Sequence, residues 1–158
     1  MTNKYVDPRN SRGAHQDGIY QSIVDAGEDP FARENLKKYH NGPILYENFS
    51  WFVIQNQWSY KRTKHHFVII LQKYKEKFED LSEIELIDLQ GIIKRLKQQY
   101  GIKGGGLVMR TGDTLYTGAT VTHLHCHYVV PDVDDPEYNP ENRVNVVIGG
   151  NKTKPENS

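Results

Sequence analysis

Cysteine is almost missing from this chain, because Cys126 is the only one among 158 residues. A single cysteine excludes an internal disulfide and any zinc site built from several thiolates. A net charge of either sign is missing too, since 20 basic side chains balance 20 acidic ones. No overall field therefore draws the chain toward nucleic acid, and any anion binding must be local. No nucleic-acid partner is predicted.

Long apolar runs are also missing. The opening residues, MTNKYVDPRNSRG, are polar and lack the apolar run that a signal peptide or a spanning helix requires. This predicts a soluble, cytoplasmic protein without a membrane partner. The length is most simply that of one domain with one core.

Three sections are predicted along the chain. Residues 1–13 form a polar arm broken by Pro8 and Gly13, residues 14–150 form the folded domain, and residues 151–158 form a polar tail. Apolar residues three and four apart predict a short amphipathic helix over 14–26, ended by Gly27.

A long helix and several strands make up the predicted domain. Ser82 and Glu85 form a capping box and Gly101 supplies a left-handed end, which predicts a helix over 82–100. β-Branched and aromatic runs predict strands at 44–46, 50–55, 66–71, 107–110, 121–130 and 144–148, with a polar loop over 111–120. The predicted fold class is α+β: a largely antiparallel sheet, one long central helix and a short N-terminal helix.

Three histidines occupy alternate positions in the stretch THLHCHYVV. Because side chains alternate along a strand, His123, His125 and His127 should share one face, with neighbouring rings about 6.6 Å apart. The opposite face is apolar and should pack on the long helix. Two neighbouring rings can chelate a metal ion, whereas an elongated anionic substrate can touch all three.

Three histidines are improbable in this pattern by chance. A metal site made of two of them is the main alternative to a catalytic site. No carboxylate or cysteine stands at an obvious spacing for a third ligand. Nucleophilic catalysis is therefore the favoured interpretation, because a neutral imidazole with a free lone pair is an effective nucleophile.

The stretch His-Leu-His-Cys-His-Tyr-Val resembles the signature of the histidine triad (HIT) family. A second stretch, Asn56-Gln57-Trp58-Ser59-Tyr60 followed by His-His-Phe-Val-Ile-Ile, resembles that family's loop before a histidine-headed strand. The resemblance implies a HIT-like fold, a homodimer, and a nucleotide hydrolase or nucleotidyltransferase that attacks the α-phosphate of a nucleotide conjugate. Such substrates include dinucleoside polyphosphates, nucleoside phosphoramidates and adenylylated compounds.

The resemblance also implies a role for each matching residue. Asn56 matches a residue that meets the ribose in relatives. The catalytic set is His125 as nucleophile, His123 and His127 lining the phosphate and assisting the leaving group, and His66 hydrogen-bonded into the triad, with His65 as the runner-up for that last role.

Fixed donors are needed for the charge that builds on the phosphoryl oxygens. Besides the triad, the candidates are Thr120 and the backbone N–H groups of Thr117 and Gly118. The forked guanidinium of Arg110 is a candidate clamp for a distal phosphate or carboxylate. Arg110 is equally well interpreted as a surface ion pair with Asp113, and Thr120 as a plain strand residue. The candidates for a slot that binds the nucleobase are Trp51, Phe52, Ile19 and Ile23. Most of them are more simply interpreted as core residues.

Several positions depart from the family pattern. Asp29-Pro30-Phe31-Ala32 stands where some bacterial members have Cys-Pro-Phe-Cys opening a zinc site, so no structural zinc is predicted and His40 is expected at the surface. Relatives often carry Gln or Gly at the position of Ala119. An imidazole at His127 favours hydrolysis over transfer, because it can donate a proton to a leaving group.

The leading hypothesis is a metal-independent enzyme that needs no cofactor, and no metal site is predicted. A metalloprotein that uses His123 and His125, as a sensor or an oxygenase, is the first alternative. A nucleotide-binding regulator without turnover is the second, with Ala119 as its sequence hint.

Overall fold

A computed structural model of the protein describes residues 3–152, without the side chains of residues 14 and 15. Within that range five strands form one antiparallel sheet with the order β1-β2-β3-β5-β4. The strands are β1 (Ile44–Glu47), β2 (Trp51–Gln55), β3 (Thr63–Leu71), β4 (Gly106–Met109) and β5 (His125–Pro131). The predicted tail lies mostly outside the described residues.

Helices connect and flank these strands. They are α1 (Ala14–Ala26), α2 (Leu36–Tyr39), α3 (Glu83–Tyr100) and α4 (Thr114–Thr117), with 3-10 turns at Pro8–Asn10 and Phe78–Asp80. The predicted α+β class is confirmed. None of the helices in residues 3–152 is long and apolar enough to cross a membrane.

Local signals account for the two main helices. Ser82 accepts a hydrogen bond from the Glu85 amide, and the Glu85 carboxylate accepts one from the Ser82 amide, which starts α3. Gly27 and Gly101 end α1 and α3 with φ angles of 65° and 62°, a region that a Cβ disfavours. Both helices end where the sequence predicted.

The sheet buries both of its faces. α3 covers one face, where Leu124, Cys126 and Tyr128 of the histidine segment join the main core. On the other face Phe52, Ile54, Val68, Ile70 and Leu36 form a smaller cluster. Because alternation places the β5 histidines on this second face, they lie beside a thin apolar layer and not beneath the long helix.

The N-terminal arm packs against the loop before β5. Val6 forms an isolated antiparallel bridge with Val121, and the Asp7 amide donates to the Thr120 carbonyl at 2.8 Å. Val6 is buried together with Ile23 and Val24 of α1. The arm and α1 therefore share a third small cluster.

The predicted strand at 121–130 is too long, since β5 begins at His125. Its partner β3 ends at Leu71, so no ladder continues beside His123. The backbone there is held instead by the Leu124 amide, which donates to the Lys75 carbonyl at 2.7 Å.

The predicted strand at 144–148 is wrong. Val147 and Ile148 are 60% and 61% exposed, and no strand forms in this segment. The chain turns back instead over α4, where the Gly149 amide donates to the Thr117 carbonyl at 3.2 Å. The predicted polar loop at 111–120 correspondingly contains α4, which Asp113 caps through its side chain.

Candidate active site

A cavity of about 540 Å³ opens beside the histidine face of the sheet. Most of the predicted site residues line it: His125, His127, Asn56, Arg110, Gly118 and Thr120. Three others, His66, His123 and Thr117, lie outside its lining but contact residues within it. The fold thus brings together positions from four separate parts of the chain.

His125 is held as a neutral ring with one defined tautomer. Its Nδ1 lies 2.7 Å from the His123 carbonyl, which can only accept, so Nδ1 carries the proton and Nε2 keeps the lone pair. Burial lowers the pKa of His125 from the usual 6.5 to about 4. At neutral pH the ring is therefore uncharged, and its lone pair is available on the nitrogen that remains for the cavity.

A second chain of hydrogen bonds sets the tautomers of His66 and His127. The Tyr60 amide donates to His66 Nδ1 at 3.0 Å, so the proton of neutral His66 lies on Nε2. That N–H donates to His127 Nδ1 at 2.8 Å, which leaves the proton of His127 on Nε2. The cavity therefore contains a lone pair on His125 and an N–H donor on His127.

Burial and charge keep both of these rings neutral. Burial, then the guanidinium groups of Arg12 and Arg110, lower the pKa of His66 to about 4. Burial, then the neighbouring rings of His125 and His66, hold the pKa of His127 well below 6.5. The ring centroids of His125 and His127 are 5.2 Å apart, so one phosphoryl group can reach both.

Asn56 lies at the edge of this chain. Its Oδ1 accepts from the Trp58 amide at 2.7 Å, and its Nδ2 is 3.2 Å from His66 Nε2. Because His66 Nε2 is itself a donor in this tautomer, that approach is a contact between two donors and not a hydrogen bond. The Nδ2 group consequently keeps its hydrogens for a ligand in the cavity.

His123 is not in contact with the cavity. Its Nδ1 lies 2.6 Å from Asp29 Oδ2 and its Nε2 lies 2.6 Å from the Leu71 carbonyl, and the ring is 1% exposed. Both nitrogens are occupied, so His123 has none left for the phosphate contact expected from the sequence. Its function in this geometry is to hold His125 through its own backbone carbonyl.

Asp29 is the residue of this site that sequence reasoning missed. Its Oδ1 accepts from the Phe31 amide, and the Phe31 ring packs edge-on against His125 with centroids 4.8 Å apart. The sequence did show an aspartate where some relatives have the first cysteine of Cys-Pro-Phe-Cys. No neighbouring residue indicated that Asp29 would contact His123. His40, expected at the surface, is 9% exposed and lines the cavity.

The donors expected from the loop before β5 are already paired. The amides of Thr117 and Gly118 donate to the carbonyls of Asp113 and Thr114 within α4. The Thr120 hydroxyl donates to the Asn10 carbonyl at 3.1 Å. These groups therefore shape the cavity wall without offering the free backbone donors predicted for Thr117 and Gly118.

Arg110 is a buried member of the cavity and not a surface ion pair. It is 8% exposed, and its Nη2 donates to the Val147 carbonyl at 2.6 Å. The alternative partner, Asp113, caps α4 through the Leu115 amide instead. The Nε of Arg110 is buried without a hydrogen-bond partner among the described residues.

The apolar wall of the cavity differs from the base slot considered from sequence. Trp51, Phe52 and Ile23 are at most 1% exposed and belong to the cores. The cavity is lined instead by Tyr20, Phe31, Ile54, Trp58, Tyr60 and Val68. A planar base can stack on such a surface.

The alternative of a metal held by His123 and His125 lacks the necessary lone pairs. Both nitrogens of His123 are hydrogen-bonded, and Nδ1 of His125 is a donor. In the part of the chain that the structure describes, no group of three or more His, Cys, Asp or Glu side chains is arranged around a common metal position.

The chain has the fold of histidine triad proteins. A HIT family hydrolase from Clostridium thermocellum superimposes with a TM-score of 0.51 at 25% identity, covering 65% of this chain and 90% of its own. A histidine triad nucleotide-binding protein from Candida albicans superimposes with a TM-score of 0.52 at 15% identity, covering 75% and 82%. The resemblance stated from the two sequence motifs is thereby confirmed at the level of fold.

A third solved structure, a HIT-like protein, superimposes with a TM-score of 0.50 at 22% identity and covers 58% of this chain and 87% of its own. A scan of family models gives no match to the sequence, and a search of curated proteins gives none either. The likeness is therefore carried by the three-dimensional arrangement more than by overall sequence.

Proposed function

We propose that this protein is a nucleotide hydrolase or nucleotidyltransferase that acts at the α-phosphate of nucleotide conjugates through a covalent intermediate on His125. The observation that carries the proposal is the orientation of the His125 ring. Its Nδ1 is bound to the His123 carbonyl, so the lone pair of a neutral imidazole is on Nε2, and the ring lines the cavity. The names of the neighbours with the same fold support this class of activity.

The first step is displacement at phosphorus. The lone pair of His125 Nε2 forms a P–N bond while the bond from phosphorus to the leaving group breaks, and the leaving group departs with that electron pair. His125 then carries the nucleotide and a positive charge, and Nδ1–H remains bound to the His123 carbonyl. Because this hydrogen bond is already formed before the reaction, less reorganisation is needed in the transition state.

The second step is attack by water or another acceptor. The acceptor oxygen bonds to phosphorus, the P–N electron pair returns to His125 Nε2, and the acceptor's proton passes to the departed leaving group or to solvent. His127 Nε2–H is placed to donate a hydrogen bond to a phosphoryl or leaving-group oxygen in both steps. Arg110 supplies a further donor for a distal phosphate, and Asn56 Nδ2 supplies one for the ribose.

The decisive experiment is to trap the intermediate. An adenylylated substrate labelled at the α-phosphorus is incubated with the protein and quenched in base, because phosphoramidate bonds to histidine survive base and break in acid. We expect an acid-labile label on the wild-type chain and none on His125→Ala. Absence of both label and turnover across diadenosine polyphosphates, phosphoramidates and adenylylated compounds would count against the proposal.

His65→Ala is the matched control for that experiment. This neighbouring histidine stacks on Phe67 and Tyr100, away from the cavity, so its removal should leave labelling intact. The pH profile gives a second readout, because only neutral His125 attacks. Since burial lowers its pKa to about 4, kcat/KM should hold through pH 6.5 and fall near 4. A fall centred at 6.5 would contradict this assignment.

Two finer expectations stay predictions. The resemblance implies a homodimer, and the composition predicts a cytoplasmic protein. Sedimentation of the purified chain and its localisation in cells are the measurements that address them.

A further inference from the structure

The cavity wall has an unusual balance of charge for a chain with a formal net charge of zero. Three of its lining residues are basic, namely Arg12, Lys61 and Arg110, and no aspartate or glutamate is among the lining residues. The positive character of this site is therefore local, and it surrounds the two histidines that face the cavity.

Arg110 is built into the wall. It is more than nine-tenths buried, one guanidinium nitrogen is anchored on the Val147 carbonyl, and the buried Nε has no partner within residues 3–152. A buried guanidinium nitrogen without an acceptor is costly, and an anionic oxygen would relieve that cost. The guanidinium group of Arg110 is thus fixed in the cavity wall, and one of its nitrogens has no hydrogen-bond partner among the described residues.

Arg12 reaches the cavity from the N-terminal arm. Its guanidinium carbon lies 5.5 Å from the centre of the Tyr60 ring, and that ring stacks on His127 with centroids 5.9 Å apart. No ion pair of its side chain is found among the described residues. Arg12 is thus one aromatic ring away from the proposed phosphoryl position, and its charge is not neutralised by a carboxylate.

Resting on the proposed function, we propose that Arg12, Lys61 and Arg110 form an anion subsite for a second phosphate of the substrate, in addition to the phosphate attacked by His125. Guanidinium groups bind phosphate oxygens through charge-assisted hydrogen bonds. The favoured substrates are then nucleotide conjugates with at least one further phosphate. Conjugates with an uncharged leaving group and no other phosphate leave these cations unpaired.

The second phosphate has two possible positions in a nucleotide conjugate: the leaving group and the ribose. Both present the same chemistry to the subsite, and ligands with equal numbers of phosphates distinguish them. α,β-Methylene-ADP carries its second phosphate on the leaving-group side, whereas adenosine 3′,5′-bisphosphate carries it on the ribose. Neither ligand can be cleaved between its phosphates, so both report binding alone.

Calorimetry on the full chain tests the subsite. At least one of these two ligands should bind about tenfold or more tightly than AMP, the effect of one hydrogen bond to a charged group. Arg12→Gln should remove most of that gain while changing AMP affinity little, and rising salt should reduce the gain. Arg62→Gln is the control, because this exposed arginine contacts the Arg143 carbonyl outside the cavity.

The possible failures are separable. If AMP binds and neither α,β-methylene-ADP nor adenosine 3′,5′-bisphosphate binds more tightly, the anion subsite is refuted and the proposed function stands. The same conclusion follows if the gain survives in both Arg12→Gln and Arg110→Lys. If AMP, α,β-methylene-ADP and adenosine 3′,5′-bisphosphate all fail to bind, both the proposed function and the subsite are refuted.

Discussion

Asp29 and His123 are 94 residues apart in the chain and form a buried pair at the base of the site. The Leu71 carbonyl can only accept, so Nε2 of His123 donates to it, and Nδ1 forms a second hydrogen bond with Oδ2 of Asp29. Two hydrogen bonds therefore fix the orientation of this buried ring. At the scale of single residues, Asp29 therefore supports the orientation of His125, the proposed nucleophile, without touching it.

Replacing that carboxylate tests its role. Asp29→Ala leaves Nδ1 of the buried His123 ring without its hydrogen-bond partner, and we expect the free energy of unfolding to fall by about 1–3 kcal/mol. The rate of His125 labelling should fall too, because the His123 carbonyl would shift. Denaturant titration and labelling kinetics measure the two effects. Asp29→Asn keeps an acceptor oxygen and should lose less; equal stability of all three proteins would refute the role assigned to this hydrogen bond.

At the scale of elements, the loop before β5 is held by segments from both ends of the chain. Asn10 Nδ2 donates to the carbonyls of Thr114 and Ala119 at 3.1 and 3.0 Å, and Asn10 Oδ1 accepts from the Asn151 amide. Gly118 in this loop has a φ angle of 72°, and a Cβ there would lie 2.3 Å from the Gly149 carbonyl oxygen. The cavity wall consequently depends on the arm and on the segment after β5.

Asn10→Ala should loosen this wall. Asn10 is 8% exposed, so the loss of its side chain leaves the buried Ala119 carbonyl without a donor, and we expect about 1–3 kcal/mol of destabilisation. The extra affinity for ligands with a second phosphate should also fall, because Arg12 follows in the same arm. Hydrogen exchange of the loop amides and calorimetry with α,β-methylene-ADP and adenosine 3′,5′-bisphosphate provide the measurements. Asn142→Ala, at an exposed position, is the control, and unchanged exchange in Asn10→Ala would contradict the role assigned to the arm.

At the scale of the whole molecule, buried neutral histidines link folding to pH. His66 and His125 have pKa values lowered to about 4, and burial holds that of His127 far below 6.5 as well. In the unfolded chain these rings take up protons near pH 6.5, whereas in the folded chain they do so only at lower pH, near 4 for His66 and His125. Their contribution to stability is therefore complete above pH 6.5 and is lost as the pH falls toward 4.

The unfolding free energy should decrease between pH 6.5 and pH 4 by about 1.4 kcal/mol per pH unit for each ring that is protonated only on unfolding. Denaturant titrations at pH 8, 6 and 5 measure this slope. His125→Asn should reduce this slope by the contribution of one ring, about 1.4 kcal/mol per pH unit. A free energy that does not change from pH 8 to pH 5 would show that these rings are not buried in their neutral form.

Local signals account for the elements that the sequence predicted well. The capping box at Ser82, the left-handed glycines at 27 and 101, and the alternation of histidine with apolar residues each act within a few neighbouring residues. The alternation correctly assigns Leu124, Cys126 and Tyr128 to the core under α3. The prediction of a strand at 144–148 was wrong for the same reason, since its β-branched residues have strand propensity but pair with no strand of the sheet.

The sequence by itself determined the α+β class, the two main helices and the histidine row that marks the site, because these depend on short-range periodicity and capping. Only the tertiary structure decided that His123 is paired with Asp29, that a hydrogen bond from His66 sets the tautomer of His127, and that Arg12 reaches the cavity. Those contacts join residues distant in the chain, and their energies depend on burial, which exists only once the sheet, the arm and α1 have packed together.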